Sequence, residues 1–108
     1  MDLTDYRKQI DEIDAQLVAL FQQRMDVASG VADYKRKHNL PVLDAGREQD
    51  KLRDLCSQTR PELQRYTAAL YRSIFELSRA HQTHRLGLEL EHPSEAEIFF
   101  AKLLAQDL

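Results

Sequence analysis

The chain has 108 residues, 43% of them hydrophobic and 31% charged, with a formal net charge of −3. That length holds one domain with a modest core, and the balance is that of a soluble globular protein, which excludes a disordered tail. Both signs of charge are interspersed over a slightly acidic total, so a nucleic-acid or anionic-membrane surface, which needs a basic face, is excluded as well.

The opening MDLTDY is acidic and lacks the basic-then-apolar layout of a secretion signal. No apolar run approaches the length of a membrane span, so a cytoplasmic protein is expected. Only three glycines and three prolines punctuate the chain, and they fall where helical periodicity breaks. The expected class is therefore all-α. The first segment runs from Asp5 to Lys37, where Leu3, Tyr6, Ile10, Ile13, Leu17, Leu20, Val27, Val31 and Tyr34 recur at alternating spacings of three and four, as in a helix seam. One position breaks the seam. Where an apolar residue is due between Leu20 and Val27 stands Arg24, a cation that is costly to bury unless an anion neutralises it.

Some 33 helical residues span about 50 Å, well beyond a compact globule of this size, whose radius of gyration is near 13 Å. The seam is expected to pack against a second copy, and an antiparallel homodimer is the simplest closed solution. Lys35 lies eleven residues after Arg24, about 16 Å along the axis and within about 20° of the same face, which leaves room between two long side chains for a small dianion. Arg7 lies about 25 Å up the axis from Arg24 and on another face, too far to join such a site from its own chain but able to join a partner's.

The helix is expected to end at His38-Asn39-Leu40-Pro41, and the next to begin near Asp44 and run over residues 45–58. Asp44, Arg47 and Glu48 face the short connection opposite Lys35. The single cysteine, Cys56, shares an apolar stripe with Leu52 and Leu55 and reads as a buried packing residue. A third helix is expected to open at Pro61 and run to Arg85, with Leu63, Tyr66, Leu70, Ile74 and Leu77 as its apolar stripe. Ser78 and Gln82, one turn apart, share a face beside that stripe, either as satisfied core residues or as ligand contacts. Four histidines without accompanying cysteines or patterned carboxylates do not suggest a metal site. In the tail, Ser94 with Glu97 three residues on reads as a capping box before Ile98, Phe99, Phe100, Leu103 and Leu104, hence a short amphipathic helix on a polar linker.

Five fragments taken together carry a family resemblance. They are R-x-x-I-D-x-I-D (Arg7, Ile10, Asp11, Ile13, Asp14), Arg24-Met25 after Phe21-Gln22-Gln23, Tyr34-Lys35, P-V-x-D-x-x-R-E (Pro41, Val42, Asp44, Arg47, Glu48) and S-x-x-x-Q (Ser78, Gln82). In that order and at that spacing the chain resembles the all-helical bacterial chorismate mutases over about residues 5–83. The resemblance implies a mutase domain over residues 1–85, an intertwined antiparallel homodimer, and a tail over residues 86–108 onto which no family role carries.

It also implies a reaction, the intramolecular Claisen rearrangement of chorismate to prephenate on the route to phenylalanine and tyrosine, with no cofactor or metal. Catalysis then consists of holding a flexible dianion in its reactive chair-like form and stabilising negative charge on the ether oxygen as its bond to carbon breaks. By resemblance, Arg24, Arg47 and the partner subunit's Arg7 hold the two carboxylates with help from Ser78. Lys35 and Gln82 donate to the ether oxygen. Glu48, with Asp44 behind it, accepts from the ring hydroxyl. Two other readings remain at this point: an isochorismate-pyruvate lyase of the same fold, which the intact Asp44, Arg47 and Glu48 set disfavours, and a non-catalytic helical dimerisation or effector-sensing module, of which a missing cage residue would be the sign.

Overall fold

The structure, a computed structural model, describes residues 1–85 and, within the tail, residues 98, 99, 102 and 103. Three helices occupy the first 85 residues: α1 over Leu3–Lys37, α2 over Ala45–Ser57 and α3 over Gln64–Arg85, with a 3-10 turn at Pro61–Leu63 leading into α3. No strand occurs among the described residues. The four described tail residues are helical, with Ile98, Phe99 and Leu103 exposed. Ser94 and Glu97, the expected start of that helix, lie outside the described residues.

α1 begins two residues before the expected start because Asp2 and Asp5 cap it reciprocally. The Asp5 N–H donates to the Asp2 carboxylate at 2.9 Å and the Asp2 N–H to the Asp5 carboxylate at 3.1 Å. Such a box satisfies two of the otherwise orphaned N-terminal donors. Its other end closes in a Schellman turn. Asn39 takes a left-handed φ of 53°, its N–H reaches the Arg36 carbonyl at 3.3 Å, and the Leu40 N–H reaches the Lys35 carbonyl at 2.8 Å. Pro41 then prevents any continuation. The chain reverses within seven residues, and Asp44 caps α2 by accepting from the Arg47 N–H at 3.0 Å.

α2 and α3 form an antiparallel hairpin. Its turn is fastened by the Thr59 hydroxyl on the Thr67 hydroxyl at 3.1 Å and the Gln64 amide on the Thr59 carbonyl at 3.1 Å. Cys56 is half-buried rather than buried, with its thiol 3.7 Å from the Gln64 carbonyl, because it sits at this turn and not between layers. α3 packs against both other helices. It runs parallel to the last third of α1, with Arg24 over the Phe75 ring and Ser29 hydrogen-bonded to His81 at 3.0 Å. The buried apolar residues at this junction are small or flat: Ala28 and Ala32 on α1, Phe75 and Ala80 on α3.

Two stripes read from the sequence sit differently in one chain. Leu63, Tyr66 and Leu70 are exposed and only Ile74 and Leu77 are half-buried, because α3 turns the adjacent face, with Phe75, Ser78 and Gln82, toward its neighbours. Along α1 every residue from Met1 to Gln23 is exposed, including Leu17 at 56%. Thus about 30 Å of helix carries an apolar seam that nothing in its own described chain covers.

Candidate active site

The helix junction encloses an open cavity of about 320 Å³, a size suited to a small metabolite. α1 contributes Arg24, Ala28, Val31 and Lys35; the connection and α2 contribute Val42, Asp44, Arg47, Glu48 and Lys51; α3 contributes Phe75, Ser78, Arg79 and Gln82. Seven of the eight expected site residues therefore share one cavity: Arg24, Lys35, Asp44, Arg47, Glu48, Ser78 and Gln82. Arg7 does not line it and sits on the exposed part of α1.

Each side chain is placed by a local device. The Schellman turn brings Val42 back beside α1, so that Lys35 Nζ donates to the Val42 carbonyl at 2.7 Å and stays at the cavity wall. The N-cap at Asp44 sets the first turn of α2 and with it Arg47 and Glu48. Arg24 is half-buried rather than enclosed, its guanidinium 5.7 Å from the centroid of Phe75 in a cation–π contact. Ser78 and Gln82, each 6% exposed, do face inward together, with Gln82 Nε2 donating to Ser78 Oγ at 3.2 Å.

Charge is unevenly paired here. Five cations (Arg24, Lys35, Arg47, Lys51, Arg79) line the cavity against two carboxylates, Asp44 and Glu48. Both carboxylates are engaged, Asp44 by the Arg47 backbone and Glu48 by the Arg79 guanidinium, whose Nη1 contacts both of its oxygens, at 2.6 Å for Oε2. Among the described residues Arg24, Lys35, Arg47 and Lys51 have no carboxylate partner, Lys35 bonding the Val42 carbonyl instead. Such a wall attracts an anion with more than one negative group. Two guanidiniums suit planar carboxylates, which they can grip in a fork.

One buried atom is also unsatisfied. Gln82 Oε1 has no hydrogen-bond partner. Turning the amide by half a rotation keeps the contact to Ser78, with its hydroxyl donating to Oε1, and leaves the NH2 group as the open donor. The amide is therefore ready to bond a group that enters the cavity. Ser78 hydrogen-bonds only an amide, and without a base beside it a hydroxyl is not activated as a nucleophile. The arrangement grips and polarises rather than attacks. Among the described residues no group of three or more His, Cys, Asp or Glu could hold a metal ion, and no helix is long and apolar enough to cross a membrane.

Sequence reasoning passed over Lys51 and Arg79. Both carried a signal. Lys51 is one turn beyond Arg47, and Arg79 completes an i, i+3, i+4, i+7 face with Phe75, Ser78 and Gln82.

Residues 6–83 match the family model of chorismate mutase type II, and this span includes all eight expected site residues. The chain belongs to that family. It is 37% identical over 59 residues to a protein of Methanocaldococcus jannaschii named chorismate mutase, across 52% of this chain and 60% of the relative. It is 39% identical over 46 residues to the T-protein of Haemophilus influenzae, across 43% of this chain but 12% of that much longer relative. The chain thus spans less than two thirds of either relative. No solved structure matches it significantly.

Proposed function

We propose that the chain is a chorismate mutase, turning chorismate into prephenate for phenylalanine and tyrosine synthesis, in a cavity that a second copy completes. The observation that carries this reading is the set of unpaired cations beside a buried amide with an unsatisfied polar atom. A dianion with an internal ether matches both. Arg24 and Arg47 take the substrate carboxylates, and the Ser78 hydroxyl, donating to Gln82 Oε1, turns that amide's NH2 group toward the cavity. Held so, the two reacting ends of the molecule lose the rotational freedom that makes the rearrangement slow in solution. Lys35 and the Gln82 amide donate to the ether oxygen, where charge grows as the C–O bond breaks. Their donors are already oriented, Lys35 by the Val42 carbonyl and Gln82 by Ser78, so little reorganisation is needed at the transition state. Glu48 accepts the ring hydroxyl, and Asp44 holds the turn that carries it.

Arg7 enters from the partner subunit in this reading. Two features support it: the exposed seam over the first part of α1, and the distance of about 25 Å along the helix between Arg7 and Arg24. An antiparallel pair buries both seams and brings each Arg7 toward the other subunit's cavity. A lone unpaired cysteine, Cys56, fits a reducing cytoplasm.

Incubating the purified chain with chorismate, and in parallel with isochorismate, tests the proposal. Chorismate should be consumed with stoichiometric formation of prephenate. Folded protein that leaves chorismate untouched, or that consumes isochorismate with release of pyruvate in preference to it, would overturn the reading.

A further inference from the structure

Glu48 has three cations to choose from. Arg47 precedes it directly on α2, Lys51 follows at i+3, a spacing at which helical side chains meet, and Arg79 stands on α3, 31 residues away. The carboxylate pairs with Arg79. Nη1 of that guanidinium contacts both oxygens, and the two side chains are only 31% and 26% exposed, which screens the pair less than an open surface would.

We propose that Arg79 is a positioning residue: it fixes the Glu48 carboxylate for the substrate's ring hydroxyl and keeps it from neutralising Arg47 and Lys51. The inference rests on the mutase reading above and extends it to a residue on the face shared with Phe75, Ser78 and Gln82. A carboxylate has about four acceptor sites on its two oxygens, and one nitrogen lying against both leaves acceptor capacity for a hydroxyl. Without Arg79 the carboxylate turns to Lys51 or Arg47. Two things are then lost together, the fixed acceptor for the hydroxyl and a cation for the substrate carboxylates. Selectivity follows from the first. A site with a fixed acceptor for a hydroxyl favours the substrate that carries it over an analogue that lacks it.

The test compares kcat/KM for chorismate with that for an analogue bearing hydrogen in place of the ring hydroxyl. The full chain is used as wild type, Arg79→Met, Arg79→Lys, Glu48→Gln and the Arg79→Met/Glu48→Gln double variant. Wild type should prefer chorismate by about a hundredfold or more. Arg79→Met should shrink that preference about tenfold, mainly through chorismate, with Arg79→Lys restoring part of it. The double variant should lose little beyond Glu48→Gln alone, since the two residues act as one unit. Arg79→Gln replaces Arg79→Met if the latter does not fold. Equal slowing of both compounds, with the wild-type preference intact, would reduce Arg79 to a source of charge and overturn the proposal. Wild type that does not rearrange chorismate at all would instead sink the mutase reading, and the inference with it.

Discussion

Gln82 and Arg24 have complementary shortages: the first has a buried polar atom without a partner, the second a charge without an anion. An amide does not titrate, so Gln82 can donate at any physiological pH. Gln82→Glu keeps the length but, once ionised, only accepts, and it repels the negative charge growing on the ether oxygen. The variant should be strongly impaired at neutral pH and regain efficiency as the pH falls and its carboxyl becomes a donor, while the parent stays flatter over the same range. Paired pH profiles of kcat/KM, with circular dichroism to exclude unfolding, check this; wild-type efficiency at neutral pH would remove Gln82 from the breaking bond. Arg24→Leu separates function from folding. Losing a guanidinium that pairs with a bound carboxylate costs about 2 to 5 kcal/mol of binding, roughly 30-fold to several thousandfold in kcat/KM. Folding should change by less than about 1 kcal/mol, because Arg24 is half-exposed, stacks on one ring and breaks no ion pair when removed. A thermal melt showing marked destabilisation with turnover preserved would make it a structural cation instead.

The connection between α1 and α2 is the element on which the site depends, since it turns Val42 to Lys35 and starts the helix that carries Arg47 and Glu48. Its left-handed residue is Asn39, a type that tolerates positive φ. Asn39→Val should cost about 1 to 3 kcal/mol by strain, and Asn39→Gly little, as urea unfolding would report. Equal stability of Asn39→Val would mean that the turn is not held as described. The stop of α1 was legible in the sequence because Asn39, with Pro41 two residues on, is a strong terminator. The start was not, since Asp2 and Asp5 look like plain acidic residues until each is seen to cap the other. Arg24 and Lys35 were legible because a charge in an apolar register, and a second one eleven residues on, stand out against periodicity. Arg79 and Lys51 did not stand out: in a polar context a lone cation looks solvated until the cavity face of its helix is known. Which partner the α3 stripe meets was not legible for a related reason. Spacing shows that Leu63, Tyr66 and Leu70 align but not which neighbour covers them, and within one chain they stay exposed.

At the scale of the whole molecule, a helix of 35 residues with an apolar seam is not covered by its own described chain: α3 packs only along its later part, and α2 packs on α3 rather than on α1. In the proposed reading, a second copy laid antiparallel would bury the seam and bring Arg7 to the cavity. Arg7→Ala and Lys35→Ala proteins, each nearly inactive alone, should then complement one another when unfolded and refolded together. A mixed dimer has one site with both defects and one with neither, so random pairing should restore about a quarter of wild-type activity per chain. Recovery of that activity, with mixed dimers verified by mass, is the result expected of a shared site. A mixture as inactive as its parents although mixed dimers have formed would contradict it.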